Sequence, residues 1–195
     1  MELAGKRIGF AVTGSFCTFE QILPVVEQLA GSGADVTPIL SFNSANLDTR
    51  FFKAEDFKRI LKEITGKDII DDLQRAEPIG PKRLLDLVII APCTGNTLAK
   101  LALGVTDTPV LLAAKAHLRN ASPVLIAVST NDALAANAKN LGILLNTRHV
   151  YFVPYRQDDN KKKCTSVVAD MTMIPAAAEL ALEGRQLQPV MLEPK

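Results

Sequence analysis

Apolar residues in this chain recur with two different periods. Short unbroken apolar runs, typical of strands covered on both faces, alternate with stretches where apolar positions return every three or four residues, typical of helices with one buried face. Residues 7–13 form the first run, which ends in Gly14-Ser15. A helical pattern follows, with Leu23, Val26, Leu29 and Ala30 on one face, and it runs out at Gly31-Ser32-Gly33. Residues 35–40 are the second run and finish at Ser41-Phe42-Asn43. A β-α-β unit of about 30 residues is no hairpin, so the two strands are expected to be parallel and joined by a right-handed crossover.

The same grammar recurs downstream. Strands are expected over residues 85–91, where Pro92 should end the run, over 124–129 and over 150–153, with helices over 94–103, 107–118, 132–145 and 175–187. Between the second and third strands, residues 54–64 have helical spacing up to Thr65-Gly66, residues 68–73 suggest a further short helix, and 76–82 read as a Pro-Gly loop. Residues 155–166 are the most polar stretch and read as a mobile loop after a strand end.

A chain of 195 residues suits one domain, taken as 1–195. With 48% apolar and 22% charged residues it can build a core, which excludes a disordered or fibrous protein. Twenty-two Lys and Arg stand against 21 Asp and Glu. No overall field therefore draws the protein to nucleic acid or to an anionic membrane, and a local site must hold any anion. Apolar runs such as 87–91 and 110–114 fall far short of the ~18 residues of a membrane span, and the first six residues lack the pattern of a secretory signal, so a cytoplasmic protein is expected. Cys17, Cys93 and Cys164 are odd in number and lack CxxC spacing, which points to free thiols and to no metal site.

Four expected strand ends share one character: Thr13-Gly14-Ser15-Phe16, Ser41-Phe42-Asn43, Pro92-Cys93-Thr94-Gly95-Asn96-Thr97 and Ser129-Thr130-Asn131. Taken singly, each is an ordinary helix N-cap. A parallel sheet, however, delivers all its carboxyl ends to one edge, where small hydroxyl and amide residues at helix starts suit a phosphate or a polar cofactor tail. The first turn lacks G-x-G-x-x-G and nothing matches a Walker loop, which argues against NAD and ATP and leaves a mononucleotide such as FMN.

The run Pro92-Cys93-Thr94-Gly95-Asn96-Thr97, followed by Gly104, Thr106-Asp107 and Pro109, resembles the Pro-x-Ser/Thr-x-Asn-Thr motif of the flavoprotein superfamily of phosphopantothenoylcysteine decarboxylase, peptide cysteine decarboxylases and flavin prenyltransferases. Residues 6–10 with Thr13-Gly14-Ser15, then 76–82, 129–134, Gln157-Asp158-Asp159 and 186–189 extend the likeness nearly end to end, and within the superfamily they resemble the dipicolinate synthase B subunits. The resemblance implies a three-layer α/β fold, a flavodoxin-like or Rossmann-like parallel sheet. It also implies FMN held by Gly14, Ser15, Phe16, Ser41, Asn43, Thr94, Gly95, Asn96, Thr97 and Ser129. Further implications are a homo-oligomer such as a trimer, a small dicarboxylate substrate, an NADP-linked A subunit as partner, and residence in the mother cell of a sporulating bacterium. The alternatives are a stand-alone flavin-dependent decarboxylase or prenyltransferase, and an assembly subunit with a vestigial flavin pocket.

The departures from the pattern also carry information. The decarboxylases place a His ahead of the third strand, whereas residues 75–92 contain none, and the Pro-x-Met-Asn run after the fourth strand is replaced by Val128-Ser129-Thr130-Asn131. His117 and His149 are expected to be structural, and Cys17 to pack under the first helix. No catalytic residue is nominated. Because two carboxylates need compensating charge, Lys82 of the Pro-Gly loop and Arg156 of the polar segment are expected to hold the substrate, with that segment acting as a lid.

Overall fold

The computed structural model describes residues 3–193, so the first two residues of the charged N-terminal start lie outside it. The apolar runs become strands: β1 (Arg7–Val12), β2 (Asp35–Leu40), β3 (Leu87–Cys93), β4 (Val124–Thr130) and β5 (Val150–Phe152). All five are parallel, in the order β2-β1-β3-β4-β5. Every residue of β3 and the first six of β4 are buried, as expected of central strands covered on both faces.

The helices are α1 (Phe19–Gly31), α2 (Phe42–Asn46), α3 (Ala54–Thr65), α4 (Leu73–Ala76), α5 (Gly95–Ala102), α6 (Pro109–Arg119), α7 (Ala138–Leu145) and α8 (Ile174–Leu182); they follow the periodic stretches except for α4 and for α2, which starts at the polar end of β2 where no helix is expected. The connection through α1 moves from β1 to β2 and the one through α6 moves the opposite way, from β3 to β4. Right-handed crossovers therefore put the two helices on opposite faces. α8 packs on α1, β3 and β4, completing the first layer, while α4 and α5 pack on α6 in the other. A cluster of four rings, Phe16, Phe19, Phe52 and Phe57, ties the first strand's end to α1 and α3, with Phe19 and Phe57 stacked at 4.3 Å between centroids.

Several expectations need correction. Pro92 does not end β3, which runs on to Cys93; the pairing with β4 shifts register between Ile90 and Cys93, so the missing N–H is absorbed by an irregularity in the ladder. The polar stretch expected to be a mobile loop is a hairpin, β6 (Tyr155–Asp159) and β7 (Lys163–Ala169), whose turn is fixed by Lys161 and Lys162 backbone N–H groups donating to Asp159 Oδ1 at 2.9 Å each. β7 pairs antiparallel with the end of β4, Ser129 opposite Val168 and Thr130 opposite Val167. β4 thus has β5 along its first half and β7 along its second. The expected helix 132–145 is a turn up to residue 137 followed by α7, and the expected helix 68–73 is displaced to α4. Among the described residues no helix is long and apolar enough to cross a membrane.

Candidate functional site

All four polar strand ends lie on one edge of the sheet, because β1 to β4 are parallel. Two adjoining cavities open there. The larger, about 770 Å³, is lined by Gly14, Ser15, Phe16, Thr94, Gly95, Asn96 and Ser129, and on its outer side by Arg50, Phe51 and hairpin residues such as Lys163 and Val168. The smaller, about 350 Å³, is lined by Gly14, Ser41, Asn43, Thr94, Asn96 and Thr97, and by Thr108. Every expected cofactor residue lines one or both, and Gly14, Thr94 and Asn96 line both.

Hydrogen bonds explain why these residues stand where they do. Thr13 Oγ1 donates to the carbonyl of Pro92 at 2.7 Å and accepts from the backbone N–H of Thr94 at 3.0 Å, which locks the end of β1 to the end of β3. Thr94 caps α5, its Oγ1 accepting from the Thr97 N–H at 3.3 Å and donating to Thr97 Oγ1 at 3.1 Å. Thr108 caps α6 in the same way through the Leu111 N–H, and Pro109 occupies the first helical position. Both helix starts therefore aim their positive ends at the smaller cavity.

Beneath the larger cavity three hydroxyls form a triangle. Ser129 Oγ lies 2.8 Å from Ser15 Oγ and 3.1 Å from Thr18 Oγ1, and the last two are 3.3 Å apart. A second network surrounds Asp132, whose Oδ1 accepts from Thr130 Oγ1 at 2.6 Å and whose Oδ2 accepts from Asn137 Nδ2 at 2.7 Å; Asn140 in turn donates to Asn137 Oδ1. This network presses on Gly95, where a Cβ would stand 2.5 Å from Thr130 Oγ1 and 2.7 Å from both Asp132 Oδ1 and Asn137 Nδ2. Only glycine fits there.

The charges are arranged differently from expectation. Lys82 is at the opposite, amino edge of the sheet: the neighbouring carbonyl of Arg83 accepts from Arg7, the first residue of β1, and that of Gly80 accepts from Asn120 at the end of α6. Loop 80–86 leads into β3, so it lies at that strand's start rather than its end. Arg156 is paired with Asp170 at 2.9 Å and lines a neighbouring groove against Val25 and Gln28 of α1, which shares Gln21, Asp158 and Val168 with the larger cavity. Neither residue lines the two cavities. The cations that do line the larger one are Arg50 and Lys163, of which Lys163 is paired with Asp158 at 2.5 Å. The hydrogen bond that Lys163 donates to Asp158, and then the charge of Asp158, hold the Lys163 ammonium above the usual lysine range.

His117 and His149 are both at the amino edge, His117 buried near the end of α6 and His149 just before β5. Cys93 is buried in β3, and desolvation pushes its thiol far up. Cys17, expected under α1, is exposed and lines the larger cavity instead. Sequence reasoning missed Arg50, Thr18 and Asp132 as well. Asp132 carried a usable signal, one residue past a polar strand end; Arg50, in a loop between helices, carried none.

The Flavoprotein family model matches residues 1–176. The chain belongs to the Flavoprotein family. It is 47% identical over 191 residues to the dipicolinate synthase B subunit of Bacillus subtilis strain 168, an alignment covering 98% of this chain and 96% of that protein. The crystal structure of the dipicolinate synthase B subunit from Bacillus halodurans C superposes with a TM-score of 0.92 at 45% identity, covering all of both chains. The FMN-dependent cysteine decarboxylase SpaF shares the fold at 22% identity, with a TM-score of 0.68 over 93% of this chain and 98% of that one. The flavodoxin-like expectation drawn from the strand ends and from the Thr94 to Thr97 motif therefore holds.

Proposed function

We propose that this chain is the FMN-binding B subunit of a dipicolinate synthase and works with a separate A subunit. The observation that carries the flavin assignment is the junction of the two cavities through Gly14, Thr94 and Asn96. The smaller cavity has the donor set a phosphate needs, two helix starts with threonine hydroxyls and no carboxylate other than Asp107, which Lys100 neutralises at 2.5 Å. The larger combines apolar walls, Phe16, Phe51, Val167 and Val168, with hydroxyl and amide groups, which suits a planar ring with polar edges. The residues fit the group. Ser41, Asn43, Thr94, Asn96 and Thr97 would hold the phosphate, and Gly14, Ser15, Phe16, Gly95 and Ser129 the remainder.

The identity to a dipicolinate synthase B subunit over nearly the full chain supports the choice of reaction. Forming an aromatic dicarboxylate from a dihydro ring is a two-electron oxidation, and a bound flavin would supply the electron acceptor. This chain's own residues bind and orient: the Ser15, Thr18 and Ser129 hydroxyls, Asn96 and Arg50 are among the polar groups that line the larger cavity, where a ring would be held. Placement of both histidines at the opposite edge counts against a stand-alone decarboxylase that relies on an active-site His. The A subunit, on this reading, supplies the NADP-linked step, the assembly works in the cytoplasm of a sporulating mother cell, and the chain forms a homo-oligomer. The test is purification of the chain, extraction and identification of its chromophore, and assay of dipicolinate formation with and without the A subunit. A colourless chain that takes up no added FMN, or an A subunit equally active alone, would overturn it.

A further inference from the structure

We propose that Arg50 receives one carboxylate of the ligand and so sets the preference of this cleft for a small ring dicarboxylate over its monoacid. The proposal rests on the flavin-subunit reading for the class of ligand, and on the following geometry for the residue. Four charged side chains line the larger cavity: Arg50, Asp132, Asp158 and Lys163. Lys163 and Asp158 neutralise each other, and both oxygens of Asp132 are taken up by Thr130 and Asn137. Arg50 is different. Among the described residues its guanidinium has no hydrogen-bonding or ion-pair partner; it rests instead on the ring of Phe51, 4.8 Å from Cζ to the centroid. A planar fork of N–H donors resting on an aromatic face keeps its edge free, and that edge matches a carboxylate bidentately.

The position is fixed before any ligand arrives. Arg50 is the second residue of a tight turn in which Thr49 Oγ1 accepts from the N–H groups of Phe51 at 3.2 Å and Phe52 at 3.3 Å, while Thr49 N–H donates to the Phe52 carbonyl at 2.9 Å. Asp48 Oδ1 accepts from the Ala54 N–H at 2.9 Å and holds the turn to the start of α3. Phe52 anchors the other side, packing on Phe19 and Phe57 in the ring cluster that also carries Phe16 of the cavity wall. Little backbone freedom is left to lose on binding, which is the condition under which a single charge pair discriminates well. A ring with one carboxylate would leave the guanidinium without a partner once water is displaced; a dicarboxylate would not.

The test uses the full chain loaded with FMN, with pyridine-2,6-dicarboxylate and pyridine-2-carboxylate as probes in titration calorimetry. Wild type is expected to prefer the diacid, Arg50→Met to weaken diacid binding by about 10- to 100-fold and bind both probes alike, and Arg50→Lys to retain part of the preference. Lys82→Met, at the amino edge, should behave as wild type. FMN titration of each variant checks that the cavity is intact. A wild type without preference, or an Arg50→Met that keeps it, overturns the assignment. If the chain takes up no FMN, the flavin reading fails separately, and the same calorimetry on the flavin-free chain still decides the role of Arg50.

Discussion

The hydroxyls of Ser15 and Ser129, 114 residues apart in the chain, meet at 2.8 Å. β1 and β4 are not neighbours, so this bond spans β3 at the carboxyl edge and joins the two sides of the cleft. Thr18 makes Ser129 a shared partner at 3.1 Å. Replacing Ser129 by Val removes the hub and leaves Ser15 and Thr18 facing an apolar group. The expected result is a loss of about 1–2 kcal/mol in urea unfolding, with Ser129→Thr close to wild type. Equal midpoints for Val and wild type would mean that water substitutes fully for the missing hydroxyl.

Gly95 offers a case where two effects oppose each other. Inside a helix, Gly→Ala ordinarily gains about 1 kcal/mol. Here the added methyl would meet three polar atoms within 2.7 Å, and these atoms are held by one another rather than free to move. Overpacking of this kind costs about 1–3 kcal/mol, so the net sign is destabilising. Gly95→Ala should lower the melting temperature and also weaken FMN uptake, because the start of α5 must shift. A more stable Gly95→Ala protein would show that the Asp132 network yields.

Asn96 separates binding from folding. It is exposed, lines both cavities and makes no side-chain hydrogen bond among the described residues, so Asn96→Leu should leave the melting temperature near wild type while weakening FMN binding by ~1–3 kcal/mol. Thr97 is buried and accepts from Thr94, so Thr97→Val should lower both. Fluorescence titration of FMN beside a thermal melt distinguishes the two patterns. Unchanged titration in both variants would reduce these residues to helix caps.

How much of this was readable from sequence depended on whether the signal was local. Buried strands such as β3 announce themselves as apolar runs, and parallel connectivity then puts Ser41, Thr94 and Ser129 on one edge without further information. The β6–β7 hairpin gave no such signal. Arg156, Gln157, Asp158 and Asp159 in β6 are at most half-buried, and β7 is held by pairing with β4, a partner more than 30 residues away. Lys82 failed for a related reason: chemistry suggested a cation near the ligand, but only the bonds to Arg7 and Asn120 show to which edge its loop belongs. Arg50 was invisible because a turn locked by Thr49 and an aromatic cluster is a tertiary fact.

The amino edge of the sheet predicts how stability depends on pH. His117 is buried, Nε2 has no partner among the described residues, and desolvation holds its pKa below the usual 6.5, against the opposing influence of Asp86. The folded state therefore prefers the neutral ring, whereas the unfolded chain takes up a proton near pH 6.5. The stability linked to His117 is complete above that pH and is lost as pH falls from about 6.5 towards the folded value. Asp86 acts in a lower window. The hydrogen bond from Arg7, at 2.6 Å, lowers its pKa from 3.8, so its contribution is complete above about pH 4 and disappears only as pH falls through the folded value. Urea midpoints measured at pH 7.5, 6.0 and 5.0 should decline for wild type and decline less for His117→Leu. Asp86→Asn should start lower at pH 7.5 and converge with wild type only as pH falls through the folded value of Asp86, its contribution muted because the pair is partly exposed. Parallel pH profiles for wild type and His117→Leu would show that the buried imidazole titrates at its ordinary value in the fold, through an opening of the α6 end that admits water.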